Sequence, residues 1–159
     1  MRGLFRRGFG ASVRVMAACA VLASAVAIVK AQQCDITITS PKPGDKVGET
    51  GTVEGKATIS EKGHLWILAH RTGSGDWWPQ GQGPATVAKG AWEVTVFYGR
   101  ARDVGSRFEV AVVVVGEADN QRLRQWVSEA PEKDYPGTGF PNTVDGCPIR
   151  KVTVLKTRH

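Results

Sequence analysis

Catalytic machinery is what this sequence most lacks. Its 159 residues include only three histidines and three cysteines. One histidine is the terminal His159; the others, His64 and His70, bound a single apolar run, and six residues of extended strand would hold them about 20 Å apart, too far to share a metal. No nucleophile elbow is present: Gly73-Ser74-Gly75 lacks the Gly-x-Ser-x-Gly spacing, Ser106 falls in a turn before a strand, and neither comes with a base and its orienting partner. No glycine-rich loop opens a helix after a strand, which excludes a phosphate cradle of the familiar kind. The loops at Asp45 and Asp103 lack the regular acidic spacing of a calcium-binding loop. Glu93 and Glu109 fall on separate strands and read as polar outer-face residues instead of a glycosidase pair. Together these absences predict no catalytic residues, no metal and no cofactor, and leave a small secreted hydrolase as an outlying alternative.

Acidic residues are missing from the first 31 positions, and that changes the meaning of the overall charge. Arg2, Arg6, Arg7 and Arg14 precede an apolar run from Val15 to Val29, which ends at Val29-Lys30-Ala31. This is the layout of a signal peptide, with cleavage expected after Ala31 and residues 32–159 forming one exported domain. "FRRGFG" partly fits a twin-arginine signal, but the general secretory route is the expected one; Cys19 lies inside the apolar run and not at its end, so a lipoprotein is not indicated. Retention as an uncleaved anchor is the alternative to cleavage; once cleaved, the protein would have no stable membrane insertion. The whole chain carries 21 basic and 15 acidic residues, net +6. Five of the basic residues belong to the leader, leaving 16 against 15, a net charge of +1. The basic excess therefore leaves with the leader, and no nucleic-acid partner is expected, since such binding needs a basic face on the folded domain.

Cys19 leaves with the leader too. The remaining pair, Cys34 and Cys147, is expected to form a disulfide in an exported chain of periplasmic or extracellular location. Closing so long a loop constrains the unfolded chain by about 4 to 5 kcal/mol in the entropy model.

Period-2 patterning dominates what is left. Ile36 to Thr39, Thr52 to Ile59, Trp92 to Phe97 and Arg150 to Leu155 alternate apolar with polar residues, as half-buried strands do. Leu65 to His70 and Phe108 to Val115 are nearly all apolar and suit strands covered on both faces. Thr86 to Lys89 offers a further short strand. One segment breaks the period: Asp119 to Ser128 places Leu123, Trp126 and Val127 on one helical face, behind Asp119 as a capping residue and ahead of Pro131. The Gly- and Pro-rich segment from Glu132 to Cys147 is expected to be irregular. The fold class implied is all-β, an antiparallel β-sandwich of about seven strands with one short helix before the last strand.

The order of "ITITSPKPGDKV", "GTVEGKATI", "HLWILAH", "WWPQG", "WEVTVFYG" and "GSRFEVAVVVV" resembles the immunoglobulin-like sandwiches of bacterial exported and cell-surface proteins. A Pro-x-x-Gly turn, a Val-x-Gly strand and a Leu-Trp strand follow one another as they do there. The resemblance implies architecture without a catalytic signature. The chain departs from antibody-type domains because its cysteines sit near the domain's ends and not on facing strands.

Candidate contact residues come from two loops. Trp66 and Trp92 lie within strands and read as core, whereas Trp77 and Trp78 fall in "SGDWWPQGQGP", a turn-rich connection. Flat indoles there, with Asp76 and Gln80 beside them, suit stacking on a sugar ring or a peptide; the alternative is that one of the two turns inward to cap the open end of the sandwich, and both are not expected to be buried. In "YGRARDVGSRF", Arg100, Arg102 and Arg107 are the one local concentration of basic charge, and guanidinium groups on a loop suit gripping a carboxylate or sulfate, with a solvated loop as the alternative; Arg100 and Arg102 are the contact candidates taken from it. The function expected is a non-catalytic binding or adhesion module that contacts a protein or carbohydrate ligand through loop 73–84. A structural or accessory subunit of a cell-envelope assembly is the alternative.

Overall fold

Alternation in the sequence becomes strand in the structure, a computed structural model that describes residues 34–158; the signal-peptide reading lies outside those residues. In chain order the strands are β1 (Asp35–Ser40), β2 (Lys46–Val47), β3 (Thr50–Thr58), β4 (His64–Arg71), β5 (Trp78–Pro79), β6 (Ala91–Phe97), β7 (Arg107–Val115) and β8 (Arg150–Lys156), with one α-helix, α1 (Glu117–Glu129), between β7 and β8. They form two sheets, β1-β3-β6 and β2-β8-β7-β4-β5. All pairings are antiparallel except β2 with β8, which is parallel. The described residues thus hold eight strands and one parallel pair, where about seven antiparallel strands were expected. The surplus is β2 and β5, two residues each, in turn-rich segments too short for alternation to register. Thr86 to Lys89 is not a strand: Ala88 makes only an isolated bridge to Ala91, and Lys89 and Gly90, both at positive φ, turn the chain into β6.

Burial explains the two kinds of apolar pattern. Both sheets contribute to one core, which includes Ile36, Val53, Trp92 and Val96 from the first and Leu65, Ile67, Val110, Val112 and Val154 from the second. On the opposite face of the second sheet, Trp66, Leu68, Ala111, Val113 and Val115 form a further core with Trp77 and with Leu123 of α1. β4 and β7 are therefore covered on both faces, as their unbroken apolar runs require. β3 and β6 are covered on one face only and alternate strictly. Glu93 stands opposite Glu54 on the exposed face of the first sheet, while Glu109 shares the face of β7 that carries Ala111 and Val113. The two carboxylates belong to different sheets.

The helix begins two residues before the expected Asp119, because Gly116, in an extended conformation, takes the capping position and its carbonyl accepts from the Asn120 amide at 3.0 Å. Asp119 serves inside the first turn. Burial alone would raise its pKa, but hydrogen bonds from Arg122 and Asn142 outweigh that and hold its carboxyl below the usual value. Leu123 is buried and Val127 packs beside it. Asn120, also buried, accepts a hydrogen bond from the Trp66 indole at 3.1 Å, which pins the helix to the sheet by a polar contact that the apolar pattern does not signal. The expected disulfide is present: Cys34 and Cys147, with Cα atoms 5.1 Å apart, tie the start of β1 to the irregular segment that leads into β8.

Two core features yield tests. Gly55 lies directly opposite Trp92, whose ring crosses β3 there; a Cβ at Gly55 would come within 1.9 Å of the Thr37 carbonyl oxygen and 2.5 Å of the indole. The Gly55→Ala protein should lose about 2 kcal/mol or more in urea unfolding, since neither neighbour can yield without moving a strand. Tyr98 is fully buried and its hydroxyl has no hydrogen-bond partner among the described residues; burial pushes its pKa from 10.0 up to about 12. The chain has two tyrosines. In a Tyr135→Phe background, absorbance titration should report the remaining phenol ionising near pH 12. Because the folded pKa lies above the unfolded one, this group's contribution to stability is complete below pH 10 and declines as the pH rises towards 12.

Candidate functional site

The 72–85 connection is stitched to the edge of β4 along most of its length. The Thr72 amide donates to Arg107 and the Ser74 amide to Arg71, closing a turn at Gly73, whose positive φ suits glycine. Trp78 and Pro79 pair with Ala69 and Leu68; the Gln80 amide then reaches Ile67, and the Ala85 amide Leu65. Trp77 exchanges two backbone hydrogen bonds with Thr138, at 2.9 and 2.8 Å.

An extended backbone sends adjacent side chains to opposite faces, and the two tryptophans separate accordingly. Trp77 is 7% exposed. It stacks on the His70 ring at 3.9 Å between centroids, meets Phe140 edge-on at 4.9 Å, and has the Lys151 ammonium 5.2 Å from its centre. Glu109 accepts from Lys151 at 2.9 Å and lies 3.4 Å from His70, so the polar neighbours of this indole are paired with one another. Trp77 is thus buried in the second core, with Trp66, Leu68 and Leu123 of α1. Trp78 is half-buried and lines a cleft of about 1220 Å³.

That cleft gathers Trp78, Gln80, Arg100 and Arg102 from the six residues expected to make contacts. Asp76 and Trp77 do not line it. Asp76 is exposed but leans on the backbone at Gly137, where any side chain would collide with it. Gln80 lines the cleft yet is nearly buried, and its carboxamide is already engaged: Nε2 donates to the Trp78 carbonyl at 2.8 Å and Oε1 accepts from the Phe97 amide at 2.9 Å. It joins β5 of one sheet to β6 of the other. The cleft also includes Phe97, Trp126, Tyr135, Arg71, Asp103 and Asp134, which the sequence reading did not assign to a site. Phe97 and Tyr135 are 45% and 55% exposed. Tyr135 carried a usable signal, being an aromatic in a Gly- and Pro-rich stretch like Trp78; Phe97, last in a regular strand, carried none.

The wall around Tyr135 is fixed by indole N–H groups. Trp78 Nε1 donates to the Tyr135 carbonyl and Trp126 Nε1 to the Pro136 carbonyl, each at 2.9 Å. Hydrogen bonds from Lys133 and Gln125 hold the Glu129 carboxyl below its usual pKa and tie the helix end to the turn that follows.

The arginine turn has its own support. Gly99, at φ 71°, leaves β6; Asp103 Oδ2 accepts from the Arg100 amide at 2.8 Å and would meet any Cβ on Gly99 at 2.5 Å. Beneath the turn, Lys156 is fully buried and its ammonium donates to the carbonyls of Gly99 and Arg100. Arg71 pairs with Asp103 and Arg100 with Asp134, both at 3.6 Å, longer than a charge-assisted hydrogen bond. Among the described residues Arg102 makes no ion pair. Arg107, the third arginine of the same sequence stretch, does not line the cleft. No three His, Cys, Asp or Glu side chains converge among the described residues, and no helix there is long and apolar enough to cross a membrane.

No family model matches the chain, and no curated protein matches it. Among solved structures it is similar to a twitchin kinase fragment from C. elegans described as an autoregulated protein kinase with immunoglobulin domains, at 12% identity and a TM-score of 0.36. The match covers 81% of this chain and 22% of that one, so the chain spans about a fifth of its length. Nothing about fold or function is carried over from it.

The division between the tryptophans is testable by stability. Trp77→Ala should cost about 3 to 5 kcal/mol in denaturant unfolding, as the loss of a buried indole does. Gln80→Ala should cost about 1 to 3 kcal/mol, because the Phe97 amide loses its acceptor.

Proposed function

We propose that the protein is a non-catalytic exported binding module, an immunoglobulin-like β-sandwich of the bacterial cell-surface kind, whose contact site is the cleft between the Trp78 segment and the Arg100 turn. The observation that carries this reading is convergence. Two loops more than twenty residues apart in sequence, each singled out for its residue chemistry, line one cleft, with Trp78 from the first and Arg100 and Arg102 from the second. Half-exposed aromatic faces beside arginines are the surface expected of a recognition site: they supply contact area at low entropic cost and a few directional polar groups.

Export is supported by the Cys34–Cys147 disulfide, which an oxidising compartment maintains. The ligand is a carbohydrate or a protein. An accessory-subunit role that uses strand addition at the β6 edge is less well supported, because the Phe97 amide at that edge is already occupied by Gln80.

The test is intrinsic tryptophan fluorescence across a panel of soluble glycans and envelope proteins. A ligand of this cleft should shift the emission of the native protein and lose affinity at least about tenfold, roughly 1.4 kcal/mol, in Trp78→Ala. Trp78→Phe, which keeps a ring but not the N–H, should retain part of that affinity. Binding indifferent to both substitutions would place the contact site elsewhere.

A further inference from the structure

Building on the cleft as the contact site, we infer that its ligand is an anionic saccharide: a sugar ring lies on the aromatic wall of Trp78, Trp126 and Tyr135, and a carboxylate or sulfate on that sugar is held by Arg100 and Arg102.

The aromatic wall decides between sugar and peptide. Grooves that bind extended or proline-rich peptides use indole N–H groups or a strand edge to meet the peptide backbone. Here both indole N–H groups are consumed inside the protein, by the carbonyls of Tyr135 and Pro136. The Phe97 amide, at the end of β6 that reaches the cleft, is likewise consumed, by Gln80. What the wall still offers is ring face, which stacks on the C–H surface of a sugar without asking for a backbone partner.

The charges decide between neutral and anionic. Three arginines, 71, 100 and 102, face two carboxylates, Asp103 and Asp134, around the cleft. Both ion pairs are loose, and the Arg100–Asp134 pair joins side chains that are 65% and 90% exposed. Such a pair contributes little and is readily exchanged. Arg102 has no carboxylate among the described residues to release.

Lys156 adds a cation from below. It is fully buried, and its ammonium is met by two carbonyls and by no carboxylate among the described residues. An ammonium held that way leaves a net positive charge under the turn that presents Arg100 and Arg102. In a half-dry cleft that field favours an anion at the turn's outer side. Carboxylate and sulfate both match a guanidinium fork, so the shared chemistry is a planar or tetrahedral oxyanion on a sugar.

The experiment titrates the purified protein with three defined oligosaccharides, following tryptophan emission and heat: an oligogalacturonate, a heparin-derived hexasaccharide and cellohexaose. Expected is saturable binding of one or both anionic oligomers, weaker as salt rises and weakened at least about tenfold in Arg100→Ala/Arg102→Ala. The two anionic arms separate carboxylate from sulfate recognition. Arg102→Gln alone, at a side chain with no ion pair among the described residues to lose, should reproduce part of the effect with unchanged unfolding. Lys62→Ala, in the exposed turn between β3 and β4, removes the same charge away from the cleft and should change nothing. Cellohexaose binding that equals the anionic oligomers, survives the arginine substitutions and is lost in Trp78→Ala would overturn this inference while leaving the cleft reading intact. If none of the three produces a Trp78-dependent response, the saccharide assignment fails; should a protein ligand then bind in a Trp78-dependent manner, the cleft reading stands without it.

Discussion

Everything in this molecule follows from a sheet that has to be covered on both sides. β4 and β7 carry almost no polar residue in their central runs, so water must be kept from each face. One face meets the first sheet, and the other meets α1, Trp77 and Phe140. A single helix is narrower than a five-stranded sheet, so the second covering is completed by irregular chain. That chain is the Gly- and Pro-rich stretch after the helix, anchored by Thr138 to Trp77 and by the disulfide at Cys147.

The cleft sits at the seam between these coverings. Where the first sheet ends at Phe97, the last turns of the helix present Trp126 and the 72–85 connection crosses, no element among the described residues lies over the gap. Each edge is nevertheless held by specific bonds: Gln80 links the two sheets, two indole N–H groups hold the Tyr135 wall, and Lys156 with Asp103 sets the arginine turn. Rigid edges around an open gap keep ring faces and guanidinium groups in place before a ligand arrives, which limits the ordering cost of binding.

The same geometry gives neighbouring residues different work. Trp77 and Trp78 are adjacent and chemically identical, yet one is core and the other lines the site, because an extended backbone puts them on opposite faces. Gln80, a candidate for ligand contact by its position, is occupied with joining the sheets. The carboxylates that the sequence scattered over strands and loops end up as local partners: Glu109 for His70 and Lys151, and Asp103 for a backbone amide.

The sequence by itself determined the strands that alternate, the doubly buried pair, the single helix with its Leu123 face and the pairing of its last two cysteines, because each depends on local periodicity or on the simple count of thiols available. It also marked the tryptophan pair and the arginine loop as unusual. The tertiary structure alone decided that these two loops meet, that β2 runs parallel to β8, which indole is buried, and that Phe97 and Tyr135 join Trp78 while Asp76 does not. Those outcomes depend on how separate elements cross, on which carbonyl happens to lie within reach of an indole N–H, and on where a narrow helix stops covering a wide sheet. No local pattern of residues encodes such distances, since the groups involved, Trp78 and Tyr135 or Lys156 and Gly99, stand 57 positions apart in the chain.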